Sequence, residues 1–140
     1  MITYVDTSTL LKLVIYEAGS DRAEVVWDAA DTLASVSLIV VEARAALAAA
    51  TRGGRLTAEQ YEQAKAELSE LIGDLHLARV TDDLVTRAAG LAETEALRGY
   101  DAVHLAAALH LEAGLLTSAD EALCEAAAHN GMHVANPLAR

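Results

Sequence analysis

Cysteine is nearly absent from this chain: Cys124 stands alone among 140 residues, so no internal disulfide can form. An oxidising compartment has no claim on such a sequence, and the cytoplasm is the expected location. Phenylalanine is missing altogether and aromatic residues amount to 4%. That leaves no obvious platform on which unpaired bases could stack. Basic residues are scarce, ten Lys and Arg against 21 Asp and Glu, for a net charge of -11. Since nonspecific affinity for nucleic acid comes largely from cations neutralising phosphates, this balance taken alone points to a basic partner. Long apolar runs are lacking too: Asp6, Lys12 and Glu17 interrupt the N-terminal hydrophobic residues. Neither a targeting segment nor a membrane span is expected. Arg52-Gly53-Gly54-Arg55 has no Gly-Lys-Ser/Thr ending, which excludes a phosphate-binding P-loop. His76, His129 and His133 show no paired spacing, which excludes a zinc site.

What is present suits one compact unit spanning 1–140, because 54% hydrophobic content is ample for a core. Short apolar runs alternate with longer helical patterns, the mark of βαβ units and a parallel sheet. Ile2 to Val5 reads as a strand, followed at once by Asp6 and a helix with Leu10, Leu11, Val14 and Ile15 inward. A helix over Ser20 to Ala30, a strand over Leu33 to Val36, and a helix capped by Ser37 and stopped by Gly53-Gly54 come next. Thr57 with Gln60 forms a capping box ahead of Tyr61, Ala64, Leu68 and Leu71. Further strands are expected over Leu75–Val80, Leu115–Thr117 and Met132–Ala135, with a helix capped by Thr81, one opened by Asp101, and one over Ser118–Ala128. The fold class is therefore α/β, with about five mainly parallel strands and six or seven helices.

Four acids, Asp6, Glu42, Asp101 and Asp120, lie where an apolar run meets a helical pattern or just inside the helix. Strand ends of a parallel sheet line up along one edge, so these distant residues can share a crevice. Helix capping is the competing reading of Asp6 and Asp101. Glu42 is the least cap-like, since it interrupts the apolar stretch Leu38 to Leu47, where a charge is costly unless it faces a polar site. Gathered carboxylates repel and call for a counter-ion. All-oxygen ligation without Cys or paired His points to Mg²⁺, with Mn²⁺ as a substitute. Such an ion polarises a phosphoryl oxygen and lowers the pKa of bound water. Lys12, Arg44 and Arg98 lie close in sequence to three of the acids and are candidate phosphate contacts.

Tyr4-Val5-Asp6-Thr7-Ser8-Thr9-Leu10-Leu11-Lys12-Leu13, with Glu17 and Gly19-Ser20 after it, resembles the opening of PIN-domain ribonucleases of the VapC toxin family. Leu97 to Ala108 around Asp101 looks like that family's second signature. Val41-Glu42 matches its internal acid, and Leu116 to Leu123 around Asp120 its closing element. The resemblance implies a PIN-like three-layer α/β/α sandwich, a metal-dependent endoribonuclease, a VapB-type antitoxin and a homodimer, with tRNA and rRNA as candidate substrates. Carried over residue by residue, Asp6, Glu42, Asp101 and Asp120 are the metal-site acids, with Ser8 and Ser118 as hydroxyl neighbours. The family often places a basic residue soon after the fourth acid, where this chain has Glu121-Ala122. It also implies that an antitoxin tail can place a basic side chain in the acidic pocket; Trp27 and Tyr16 either line an apolar groove for it or pack in the core.

His104 and His110 invite a general-base role. His104, however, follows Asp101 by three within an apolar helix and reads as a buried, hydrogen-bonded core residue. Cys124, in an Ala-rich helix, reads as packing. A phosphohydrolase with a nucleophilic aspartate would carry a second acid beside Asp6 or at position 8, where Val5 and Ser8 stand. A catalytically silent interaction module is the remaining alternative, although loss of turnover would relax the need for all four acids.

Overall fold

The computed structural model describes residues 1–139. Its elements run β1 (Ile2–Val5), α1 (Thr7–Lys12), α2 (Ser20–Ala29), β2 (Thr32–Val36), α3 (Leu38–Arg52), α4 (Ala58–Gly73), β3 (His76–Ala78), α5 (Asp82–Thr94), α6 (Gly99–His110), β4 (Leu115–Thr117), α7 (Glu121–His129) and β5 (His133–Ala135). All neighbouring strands are parallel, in the order β3-β2-β1-β4-β5. Alternation along β1 sends Val5 into a core built with Leu10, Ile39, Leu47 and Leu68, and Tyr4 into another with Leu105, Leu116 and Leu123. The sheet is thus covered by α1, α3 and α4 on one face and α5, α6 and α7 on the other, the expected three layers. Leu105 and Leu116 are fully buried; truncating either to Ala should cost about 3 kcal/mol.

This strand order fixes the site. β2 and β4 flank β1 on opposite sides, so the crossovers leaving β1 and β4 diverge and open a crevice beyond their carboxyl ends. Asp6 directly follows β1, and Ser118 directly follows β4.

Several expected boundaries shift. β3 stops at Ala78 instead of Val80 because it pairs only with β2, whose chain turns into α3 after the Ser37 N–H reaches the Ala78 carbonyl. The last helix begins at Glu121 instead of Ser118, since Ser118 still extends the sheet through its N–H to the Ala135 carbonyl. α1 ends at Lys12, although turns carry the chain on to Val14 and Ile15, which still pack on the core. Ser37 occupies the N-cap position in helical conformation with no side-chain cap, whereas Thr81 caps and Thr57 with Gln60 closes a full capping box. Gly53 and Gly54 end α3, Gly54 with a positive φ of 81° that suits glycine. Among the described residues, no helix is long and apolar enough to cross a membrane.

Candidate active site

Asp6 sits at the N-cap position of α1 in extended conformation, yet its side chain makes no cap hydrogen bond. Its N–H donates to the Thr117 carbonyl at 3.0 Å, anchoring the turn to β4. Its Oδ2 instead accepts from Ser8 Oγ and Ser118 Oγ, each at 2.7 Å. These two short hydroxyl bonds satisfy that oxygen in a side chain only 5% exposed. The side-chain capping reading of Asp6 is displaced by these bonds to Ser8 and Ser118.

Glu42 reaches the same crevice from α3. Its Oε1 accepts from Thr7 Oγ1 at 2.9 Å and lies 2.6 Å from His104 Nε2, while Oε2 makes no hydrogen bond among the described residues. His104 is buried, as expected, but it is no ordinary core residue. Its Nδ1 lies 2.8 Å from the Tyr4 hydroxyl, and its Nε2 also stands 3.5 Å from Asp6 Oδ1. Burial opposes a charge on this ring, but the hydrogen bond to Glu42 and the charges of Asp6, Glu42 and Asp101 outweigh it and raise its pKa. Burial also pushes the Tyr4 hydroxyl well above its usual value, so it stays protonated. Thr7, Tyr4 and this use of His104 escaped the sequence reading. One signal was available: residues three apart share a helix face, so Asp101 in the cleft places His104 beside it.

Asp101 and Asp120 form the outer half. Arg98 donates from Nε to Asp101 Oδ2 at 3.1 Å and from an Nη to Asp120 Oδ2 at 3.2 Å. Asp120 Oδ1 caps α7 by accepting from the Leu123 N–H at 3.2 Å, so both its oxygens are engaged. Asp101 is held above the usual carboxylate range by burial first, then by the charges of Asp120 and Asp6, with Arg98 opposing. Behind these acids the buried Cys124 thiol is pushed up to about 11, by burial and then by Asp6 and Asp120, which fits its reading as packing.

A cleft of about 750 Å³ opens along this edge, with Glu42, Arg98 and Asp101 on its rim and Val85, Ala88 and Ala92 among its walls. Asp6, Asp120, Lys12 and Arg44 do not line it. Lys12 is buried and donates to Glu17 Oε1 at 2.9 Å, and Arg55 holds the other Glu17 oxygen at 2.7 Å. Arg44 is exposed, two residues beyond Glu42 and so about 200° round the helix. Tyr16 and Trp27 share a separate groove of about 400 Å³, bordered by Asp21, Glu24 and Asp28. Tyr16 is 83% exposed, while Trp27 packs partly on the core.

The donor set fits a hard divalent cation: oxygens only, with Asp6 Oδ1, Glu42 Oε2 and Asp101 Oδ1 left, among the described residues, without hydrogen bonds from hydroxyl, guanidinium or backbone groups. Among the described residues no three acids or histidines converge closely enough to hold an ion as they stand. Arg98 already neutralises two of the acids, and at 82% exposure it is free to swing aside. Burial first, and the charges of Asp120 and Asp6 after it, raise the Asp101 pKa, and added positive charge would oppose both causes.

A parallel α/β domain with acids gathered at the switch of its strand order belongs to the class of carboxylate-cleft domains. Comparison with known proteins narrows that class. The PIN domain family matches residues 3–129. Two Mycobacterium tuberculosis proteins, Ribonuclease VapC45 and Ribonuclease VapC49, are each 36% identical over 135 residues, covering 96% of this chain and 91% of the relative. PAE2754 from Pyrobaculum aerophilum has a similar fold, with a TM-score of 0.73 at 20% identity over 96% of this chain and 83% of its own. So does a chain of a toxin-antitoxin complex from Klebsiella pneumoniae, with a TM-score of 0.64 at 19% identity over 96% and 97% of the two chains. The chain belongs to the PIN-domain family, among its VapC ribonucleases.

Proposed function

We propose that this chain is the toxin of a VapBC-type toxin–antitoxin pair, a divalent-metal-dependent endoribonuclease of about 140 residues in one domain. The observation that carries the reading is the meeting of acids at the strand ends: Asp6 after β1, Glu42 from α3 and Asp101 from α6, each, among the described residues, with an oxygen not engaged by a hydroxyl, guanidinium or backbone donor. The two 36%-identical relatives named as ribonucleases support the activity. A Mg²⁺ ion, or Mn²⁺ in its place, held by Asp6, Asp101, Glu42 and Asp120, would supply Lewis acidity and a water of lowered pKa. Ser8 and Ser118 hold Asp6 in place through its Oδ2. Arg98, released from Asp101 and Asp120, is the favoured contact for the phosphate of the RNA; Arg44 lies further off and Lys12 is committed to Glu17. The net reaction adds one water across a phosphodiester bond of tRNA or rRNA.

The partner is a VapB-type antitoxin, and Arg98 seated over two acids already mimics the basic side chain such an inhibitor would insert. A net charge of -11 favours that partner, and with so few cations the RNA is selected by shape. The chain acts in the cytoplasm as a homodimer, its Ala-rich helices allowing close packing. The test is purified protein on tRNA and rRNA with Mg²⁺, Mn²⁺ or chelator, beside Asp6→Asn and Asp101→Asn. Metal-dependent cleavage lost in both variants is expected. Cleavage unchanged in both removes the site, and antitoxin binding with no cleavage under any divalent ion makes the chain a silent interaction module.

A further inference from the structure

We propose that His104 is a positioning residue: from the closed interior it fixes the Glu42 carboxylate so that only one of its oxygens faces the cleft. This rests on the reading of the cleft as a metal-dependent active site. An ionised carboxylate can only accept, so across the 2.6 Å contact Nε2 is the donor and carries a proton aimed at Glu42 Oε1. The Thr7 hydroxyl donates to that same oxygen at 2.9 Å. Two donors on Oε1 set the rotation of the carboxylate and leave Oε2 directed to the cleft. The ring itself cannot drift: it is 1% exposed, its Nδ1 is bound by the Tyr4 hydroxyl at 2.8 Å, and Tyr4 meets it edge-on with centroids 5.7 Å apart. Tyr4 is a fully buried residue of the central strand, so the orientation of Glu42 is referred back to the sheet. Glu42 comes from a helix that makes no other polar contact with α6, and without this tether a flexible, half-buried side chain would sample several rotamers. Asp6 needs no such help, because Ser8 and Ser118 hold it directly.

Side-chain reach separates positioning from plain packing. A glutamine amide can extend to the place of Nε2 and donate to Glu42, whereas asparagine reaches only the place of Nδ1. Mn²⁺ affinity, measured by titration calorimetry on the whole protein, is expected to fall 10- to 100-fold in His104→Asn, the usual loss when a partner of a metal ligand is removed. His104→Gln is expected to stay within about threefold of wild type. Proton–nitrogen NMR of the metal-free protein should show a slowly exchanging, downfield His104 Hε2 that loses its downfield shift in Glu42→Ala. Wild-type Mn²⁺ affinity in His104→Asn, or an Hε2 unmoved by Glu42→Ala, would overturn the proposal. Should His104→Asn fail to fold, the NMR comparison decides, since both of its samples keep the histidine. Absence of saturable Mn²⁺ binding and of RNA cleavage in the wild type would instead defeat the functional reading, with the tether still judged by NMR.

Discussion

The two halves of the acidic cleft are held by opposite means. Asp6 and Glu42 are gripped from inside by Ser8, Ser118, Thr7 and His104, four groups that belong to the packed fold. Asp101 and Asp120 are bridged from outside by one side chain, Arg98, which is 82% exposed. The inner pair is therefore fixed from within the fold, and the outer pair carries a charge partner that another cation could replace and that an anion could draw away. A cleft built this way is preorganised on one wall and exchangeable on the other.

The largest break in that comparison comes from the acids themselves. Asp6→Asn and Asp101→Asn should each lower metal-dependent RNA cleavage about a thousandfold, roughly 4 kcal/mol of transition-state stabilisation. Their stabilities should diverge. Asp6→Asn weakens two charge-assisted bonds and lowers the melting temperature, whereas Asp101→Asn removes a charge that the metal-free fold disfavours and leaves it unchanged or higher. Thermal melts in chelator measure both.

Next in size is an ion pair elsewhere that sharpens the contrast between buried and exposed cations. Lys12 is 8% exposed against Glu17 at 27%, so Glu17→Gln strands a buried ammonium and should cost about 2 kcal/mol, below the range for fully buried pairs because Glu17 is partly wet. The pH dependence follows. Burial opposes the Glu17 charge, but Lys12 and Arg55 overcome it and lower its pKa. Unfolded chains thus bind its proton more readily, and this stability is lost as pH falls through and below the ordinary carboxylate range. Asp101 has the opposite sign: its raised pKa means that the folded chain binds the proton first, so its contribution to metal-free stability falls as pH rises through that range. Urea titrations of Glu17→Gln and Asp101→Asn against pH should therefore change the acid slope in opposite directions.

Ser118→Ala should cost about 1–2 kcal/mol, because Ser118 both donates to Asp6 and accepts from the Asp120 N–H at 3.0 Å. Arg98→Ala should be the mildest, with a melting temperature close to wild type, because exposed ion pairs contribute little. It should nonetheless tighten Mn²⁺ binding, by removing a competitor for Asp101 and Asp120, while weakening affinity for RNA. Calorimetry and filter binding separate the two effects, and weaker Mn²⁺ binding would make Arg98 a support instead of a competitor.

The chain itself determined the alternation of strands and helices, because hydrophobic period and turn residues act within a few positions. Thr57 with Gln60, Thr81 and Gly53-Gly54 were all readable for that reason. The placing of Asp6 after β1 made it a candidate, as did the charge of Glu42 in an apolar helix. Local pattern could not say what those side chains would meet. Strand order put Ser118 beside Asp6, 112 positions away, and the meeting of α3 and α6, from opposite faces of the sheet, beyond the strand ends put His104 on Glu42, 62 positions away. Tertiary structure likewise left Lys12 with Glu17 and, among the described residues, sent Arg98 alone of the three candidate cations to the acids. Hydrogen bonds form across a few ångströms whatever the distance along the chain, so which acids are gripped and which are merely bridged was decided only when the layers closed on the sheet.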